Sequence, residues 1–479
     1  MAIKIILEWE GKKQVEMPLD PSEYDDKDWE KVCDETGNNV SKELAIRWLG
    51  IIEERLFHSH ANELKVEGFR SRKRATPFGK FTTLRRLYSD KDDDDNVSRY
   101  HFLLDEHLKW TPYVRATPDM TQSLVHSCTK SSFREATREH SSCGLSKSTI
   151  HSLLQAVAES AIQGEKQEHK NCFDEGNLLP PGRGKSSILY TEADGIHICL
   201  QREKDAHGKR RKHYELKSCI AYEGWERLPQ TRESILLRER YRLVNKKVYC
   251  HGTPDIPFWD GAGLMFHRYW DLSHTDLVAL GGDDANWINA GMDAIGLCVR
   301  QQDGFHLARY CQRGWKEGKV VYDALRSGVV VSGELHEREG KTAQKSRDYI
   351  SRHQTEGVDW RMKIGAEFPI PEDARGLGTM EGNQSHLFSD RMKDRGMSWT
   401  IKGAQHMGKA IQLVANGELG KWCGANPAES ATQELSFHVL DSQYDTRNTA
   451  RGALPALNGA HASRPWAKAI RQLTQIRQL

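Results

Sequence analysis

The chain has 479 residues, and its 69 Lys and Arg against 67 Asp and Glu leave a formal charge of only +2 although 28% of residues are charged. That length exceeds one ordinary domain, and a mean hydropathy of −0.69 with no apolar run near the ~18 residues of a membrane span excludes a spanning helix. Ten cysteines without one Cys-x-x-Cys pair exclude a zinc ribbon and give a disulfide framework no support.

Residues 1–95 read as an N-terminal region. The opening "MAIKIILEWEGKK" has too short an apolar run for a secretory leader, so a cytoplasmic protein with reduced thiols is expected. Residues 3–8 predict a strand, "DPSEYDDKDWE" an acidic loop, and "ELAIRWLGIIEERLF" a helix by its apolar spacing. The stretch "GFRSRKRATPFGKFTTLRRLY" (68–88) carries Arg70, Arg72, Lys73, Arg74, Lys80, Arg85 and Arg86 among four aromatic residues. Seven cations with no acid among them repel one another unless an anion sits there, and a phosphate backbone is the obvious one. A solvated basic hairpin is the plainer alternative. An exposed acidic loop, "SDKDDDDN", follows.

Residues 96–175 predict an α-helical DNA-binding region. "SSFREATREH" is a short amphipathic helix, "CG" a tight turn, and "LSKSTIHSLLQAVAES" a second helix with Ser146 as its N-cap. Helix, glycine turn, helix is the layout of a helix-turn-helix. The start of the second helix then faces base edges, offering Lys147, Ser148, Thr149 and His151. "EGNLLPPGRGKSS" reads as a linker.

From 186 to 306 the pattern changes to strands. "SILYTEADGIHICLQRE" gives two short runs broken by Asp194-Gly195, "HGKRRKH" a basic turn, and "YELKSCIAYEGWERL" a third strand. "LVALGGDD" gives a fourth, and "IGLCVRQQDGFHLARYCQ" a fifth running into a helix. Hairpin-joined strands followed by strand–helix–strand alternation predict an α/β fold with a sheet of mixed direction. Residues 307–375 are polar and helical, an α-helical insertion; 376–425 add two helices; 426–479 form a loop-rich tail ending in a basic helix.

Asp194 ends the first of these strands, and Asp283 and Asp284 end the fourth. Side chains past strand ends can converge on one crevice, and carboxylates so gathered stay ionised only with a cation between them. Hard oxygen ligands suit Mg2+ or Mn2+, and a third acid would let the site hold two ions. Glu381, Glu367 and Glu372 are candidates, with Glu381 favoured because a glycine-containing loop precedes it and a helix follows. Asp-Gly is equally a hairpin turn signal, and Asp283 equally a helix N-cap. Asp303 and His306, in "DGFH", could orient a phosphate or support the metal-binding acids, or simply cap a helix. Trp287 and Trp399 could stack on an unpaired base or sit in the core.

Several segments, taken in order over roughly 45–420, resemble the ISLre-type insertion-sequence transposases: "GFRSRKRATPFGKFTTLRRLY", "YHFLLDEHLKW", "SSFREAT…LSKSTIH", "YTEADGIHICLQRE", "LGGDDANWI", "DGFHLAR" and "MEGNQSHLFSDRMKDRGMSW". The resemblance implies an RNase H-like core, its mixed sheet flanked by helices on both faces and interrupted by the helical insertion. It implies Asp194, Asp283 and Glu381 as the catalytic and metal-binding triad. The family's block reads Gly-Asp-Gly-Ala, so Asp284 stands where glycine is expected; Asp283 is the first choice of ligand and Asp284 the second. Asp303 and His306 match an Asp-x-x-His element of related Mutator-like enzymes.

The expectation is then a DNA transposase holding two Mg2+ or Mn2+ ions, with no organic cofactor and no membrane, at the nucleoid of a bacterial cytoplasm. It would bind terminal inverted repeats through Arg70, Arg72, Lys73, Arg74, Arg85, Arg86, Lys147, Ser148 and Thr149. It would act on element ends and target DNA as a homodimer or larger assembly. Two alternatives stay open: a metal-dependent nuclease of the same fold without strand transfer, and a non-catalytic DNA-binding relic.

Overall fold

The computed structural model describes residues 3–9, 12–19, 28–90, 100–110, 114–177, 179–201, 204, 208–229, 240–296, 298–329, 334–364 and 368–424. Three expectations fall outside these residues: the tail with its basic helix, Glu367, and most of the two acidic loops.

Strands β1 (Ile3–Trp9) and β2 (Lys12–Leu19) form an antiparallel hairpin. Helix α1 (Trp29–His60) is longer than its apolar repeat predicts. The basic stretch is a hairpin of β3 (Leu64–Thr76) and β4 (Gly79–Asp90), edged by β5 (Tyr100–His101) and followed by α2 (Leu103–His107). Leu49 and Ile52 of α1 pack on Phe81 and Leu104 beneath it.

The hairpin corrects the charge expectation. Strand alternation turns Arg72 and Arg74 inward and Lys73 outward, and Arg70, on the face of Arg72, is exposed earlier along the strand. Acids from neighbouring helices, distant in sequence, supply the missing counter-charge. Asp105 of α2 pairs with both Arg72 and Arg85. Arg86 meets Glu54 of α1 at 2.6 Å, and its backbone N–H donates to Glu53. Arg74 lies 3.5 Å from the Trp110 ring centroid. Arg72, Arg74, Arg85 and Arg86 are therefore engaged inside the protein rather than free for phosphate.

Next come α3 (Pro118–Lys130), α4 (Phe133–Glu139) and α5 (Lys147–His169). Ser132 and Glu135 build a capping box at α4, and Ser146 caps α5 by accepting from the Thr149 N–H, as its position predicts. Gly144, at φ +63°, makes the turn between them.

The central sheet takes β6 (Ile188–Cys199), β7 (His213–Tyr222), β10 (Lys247–Cys250), β11 (Leu277–Gly282) and β12 (Cys298–Gln302) in the order β10-β7-β6-β11-β12. Neighbours are antiparallel from β10 to β6 and parallel from β6 to β12. Two details differ from the sequence expectation. Asp194-Gly195 does not break β6, because β7 pairs with it from Tyr190 to Cys199. "YELKSCIAYEGWERL" is two strands: the chain turns at Gly224 (φ +153°), and β8 (Gly224–Arg227) leaves the sheet to pair with β9 (Tyr241–Val244).

Helices cover both faces of this sheet. On one, Leu189, Ala193, Cys219 and Leu280 meet α6 (Phe258–Tyr269). On the other, Tyr190, Ile196, Ile198 and Leu216 meet α5 and a long helix near the end of the described chain. Short helices α7 (Asn286–Asn289) and α8 (Gly291–Ala294) link β11 to β12.

After β12 come α9 (Gly304–Gly314), α10 (Gly318–Ser327), α11 (Lys341–Arg352), α12 (Gln354–Gly357) and α13 (Trp360–Lys363), the expected helical stretch. It has a small core of its own, Leu307, Cys311, Val321 and Ile350. A π-turn joins α14 (Met380–Gln384) to α15 (Asp390–Met392). The long covering helix, α16 (Ile401–Asn416), and α17 (Leu419–Cys423) complete the described fold.

Candidate active site

Strand register gathers the acids. Glu192, Gly281 and Gln301 lie side by side across β6, β11 and β12. The parallel pairings run one residue further, to Ala193, Gly282 and Gln302, and the Asp303 N–H then donates to the Gly282 carbonyl at 2.7 Å. The following residues, Asp194, Asp283 and Asp303, thus fall abreast, and period-two alternation returns them to the face of Glu192. The glycines of "LGGDD" permit the close packing. A Cβ on Gly281 would lie 2.9 Å from the Glu192 side chain, and one on Gly282 2.8 Å from the Ala193 carbonyl.

Asp194 is pushed up to about 7. Burial is the largest cause, and the charges of Asp283 and Glu381 add to it, against the Gly195 N–H and the His306 charge. Its Oδ1 accepts from the Gly195 N–H at 2.7 Å. The Gln384 amide, turned so that both its ends are satisfied, donates to Asp194 Oδ2 at 2.8 Å and accepts from the Ile196 N–H at 3.2 Å. Asp283 accepts from the Ala285 N–H at 2.9 Å, which fixes the turn after β11.

Asp303 is the helix cap the sequence allows, and it also holds the His306 ring. It caps α9 through the His306 N–H (2.9 Å), and the same oxygen lies 2.9 Å from His306 Nδ1. That bond, against burial, raises the His306 proton affinity, and the charges of Asp303, Asp194 and Asp283 raise it further. Burial opposes ionisation of Asp303, but the two His306 donors outweigh it and hold its carboxyl below the usual range.

Asp284 points elsewhere. Asn289 donates to its Oδ1 at 3.0 Å, and His353 Nε2, at the end of α11, lies 2.8 Å from its Oδ2. It joins the strand end to the helical stretch, whereas Asp283 stays in the acid row.

Glu381 is exposed in the first turn of α14. The chain reaches it by crossing the sheet as a strap, with the Leu377 carbonyl accepting from Gln301 at 3.0 Å. Glu192, 2% exposed, then receives the Gly378, Thr379 and Met380 N–H groups on Oε2 at 2.9, 2.7 and 3.1 Å. Its Oε1 takes the Thr379 and Tyr222 hydroxyls, both at 2.6 Å. Sequence reasoning missed Glu192, although it stands inside "YTEADG". Glu372 is exposed on the segment before the strap and is not among the acids that raise Asp194.

Lys147 and Ser148 are exposed at the start of α5, whereas the Thr149 hydroxyl lies 3.0 Å from Ser146 Oγ. Trp399 is buried, donating to the Met392 carbonyl, and Trp287 donates to Glu215 and packs on Phe258. Trp399 is a core residue, and Trp287 is a partly buried one packed against the core.

Among the described residues, no three His, Cys, Asp or Glu side chains are gathered closely enough to hold a metal ion. The donor chemistry nonetheless suits a hard divalent cation. Carboxylate oxygens share one face of the sheet, and their mutual repulsion, felt at Asp194, is what a cation relieves.

A family model described as "Uncharacterised protein family (UPF0236)" matches residues 30–424. A UPF0236 protein of Caldanaerobacter subterraneus subsp. tengcongensis is 25% identical over 371 residues, 74% of this chain and 70% of the relative. Another from that strain, whose name joins eleven locus labels, is 24% identical over 366 residues, 74% and 69% of the two chains. A Streptococcus gallolyticus relative, "UPF0236 protein in vanSb 3'region", is 23% identical over 394 residues, 75% and 78%. Among solved structures, the Drosophila P element transposase strand transfer complex matches at a TM-score of 0.19 and 10% identity, covering 68% of this chain and 88% of that one. With its match spanning the N-terminal helix, the sheet and every described helix after it, the chain belongs to the UPF0236 family.

Proposed function

We propose that the protein is a DNA transposase of an insertion sequence, with an RNase H-like core and Asp194, Asp283 and Glu381 as its triad. The carrying observation is the acid row: Asp194, inside β6, stands abreast of Asp283, just past the end of β11, with Glu381 close enough to raise Asp194. A sheet of mixed direction flanked by helices, with a helical stretch before the glutamate, is the layout that the transposase resemblance implies. The segments carrying that resemblance fall within the UPF0236 match. The relative with eleven locus labels adds support of another kind, since a protein encoded at many places in one genome is what a self-copying element leaves behind.

Asp194, Asp283 and Glu381 would hold Mg2+ or Mn2+ ions, which when bound supply an activated attacking oxygen and steady the leaving one. The chain's own groups do the rest. Gln384 fixes the direction of one Asp194 oxygen. Asp303 holds the His306 ring toward the pair and favours its protonated form, which suits an anionic phosphate. Lys147 and Ser148 at the α5 N-terminus, with Arg70 and Lys73 on the hairpin, offer phosphate contacts for the element's inverted repeats. Joining requires two ends held together, so the working species is a homodimer or larger assembly on element ends and target DNA.

The test incubates purified protein with Mg2+ and DNA carrying the element's end. Joined products should appear, and Asp194→Asn, Asp283→Asn and Glu381→Gln should each cut their rate by roughly two orders of magnitude or more while leaving DNA binding intact. Cleavage without joining would replace this reading with a nuclease. Products unchanged in all three variants would overturn the triad.

A further inference from the structure

We infer that Glu192 is a positioning residue, a buried acid whose task is to fix Glu381 over Asp194. The inference rests on the triad reading above and deepens it. Glu192 lies two residues before Asp194 on the same strand face, so a third metal-binding acid is its natural first interpretation. Its contacts exclude that. Oε2 is occupied by three backbone N–H groups and Oε1 by two hydroxyls, so no lone pair is left for a cation.

Those three N–H groups lead into α14, from Gly378 through its N-cap Thr379 to its first residue, Met380, where no side chain of the helix itself forms a cap. The first N–H groups of a helix lack partners within it, and a carboxylate there is favoured by hydrogen bonding and by the helix dipole. Here the cap comes from the central strand rather than from the preceding residue. It therefore does what a local cap does not: it ties the helix bearing Glu381 to the strand bearing Asp194.

Two further observations set the tie in place. Gly281, beside Glu192 in register, has no side chain, and Glu192 and Leu377 cross the space a Cβ would take. One turn on, Gln384 of α14 donates to Asp194 itself. Strand and helix are thus joined on both sides of Glu381, once through Glu192 and once through Gln384. The loop before α14 contains Gly376 and Gly378, so the clasp, rather than the loop, fixes the position of Glu381.

The experiment uses the full chain, hydrogen exchange over peptides spanning 376–384, and calorimetric titration with Mn2+. Glu192→Gln keeps the volume and removes the charge. Exchange at residues 378–380 should accelerate about tenfold or more, and Mn2+ affinity should fall about tenfold, the usual consequence of losing a group that orients a ligand. Thr379→Val removes one hydroxyl bond and should shift both readouts the same way, by less. Peptides from β7 and β11 report whether the sheet is folded; if it is not in Glu192→Gln, Thr379→Val decides alone. Unchanged exchange at 378–380, or faster exchange with unchanged Mn2+ affinity, overturns the inference. Glu381→Gln separates the two levels. If it binds Mn2+ as tightly as the wild type, the triad reading fails; if it binds weakly while Glu192→Gln does not, only the role of Glu192 fails.

Discussion

Adjacent in the chain, Asp283 and Asp284 diverge in their contacts because alternation at the end of β11 sends them to different neighbours. Asp283 continues the face of Gly281 and meets Asp194, whereas Asp284 is taken by Asn289 and His353. Asp283→Asn is therefore expected to abolish Mg2+-dependent strand cleavage. Asp284→Asn is expected to retain cleavage within a few-fold and to lose no more than about 1 kcal/mol of stability from its partly exposed contacts, measured by urea unfolding. Equal losses of cleavage in the two variants would contradict this division. The sequence shows the two carboxylates and not which one is free, since His353 lies about seventy positions away and nothing local marks it as a partner. Glu192 escapes for the same reason. Its five donors come from Tyr222 and from residues 378–380, and an acid beside a candidate ligand reads as another ligand until its oxygens are accounted for.

At the scale of elements, the helices were the more legible part. Ser146 is placed as a cap by its type and by the apolar repeat after it, and a hydrogen bond confirms it. Asp194-Gly195 shows the limit: the pair is a turn signal when read locally, but ten residues of β7 hold it extended. The four-residue strand β10 is too short to declare itself. Its ladder is completed by side chains of α16: Asn416 bonds both polar groups of Val248, and Gln412 accepts from the Cys250 N–H.

The α5–α16 contact has a measurable acid dependence. Glu159 receives Gln163 at 2.8 Å, and Lys402 and His406 both lie 3.0 Å from its other oxygen. Burial alone would raise its pKa, but the Gln163 and Lys402 bonds and the Lys402 and His406 charges outweigh it and hold it at about 2, below the ordinary 4.5. A depressed carboxyl contributes stability that is present above its unfolded value and lost as pH falls through its folded one. Glu159→Gln should accordingly lower the urea midpoint at pH 7, and the two proteins should converge between pH 4.5 and 2. A difference that stays constant through that window would rule out the ionised pairing.

Across the whole molecule, sorting cations by partner matters more than counting them. The basic stretch reads as one phosphate-binding face, yet only its outward residues answer to that description. The double variant Arg70→Ala, Lys73→Ala should leave stability unchanged and reduce the slope of log K against log salt for DNA binding by about two. Arg72→Ala should instead cost on the order of 3 kcal/mol in folding, because it strips a partner from buried Asp105. A salt slope unmoved by the outward pair would remove the hairpin from the DNA interface. Among the described residues no helix is long and apolar enough to cross a membrane.

The Gln301 amide holds two distant chain segments at once: it accepts from the Trp360 N–H at 3.0 Å and donates to the Leu377 carbonyl at 3.0 Å. The chain departs from β12 at Asp303 and is received again by that same strand at Trp360. Everything between is an excursion whose two ends are held at one strand. Lengthening or trimming such an excursion costs only logarithmically in closure entropy, so a change in its size leaves the sheet beneath it with its dimensions.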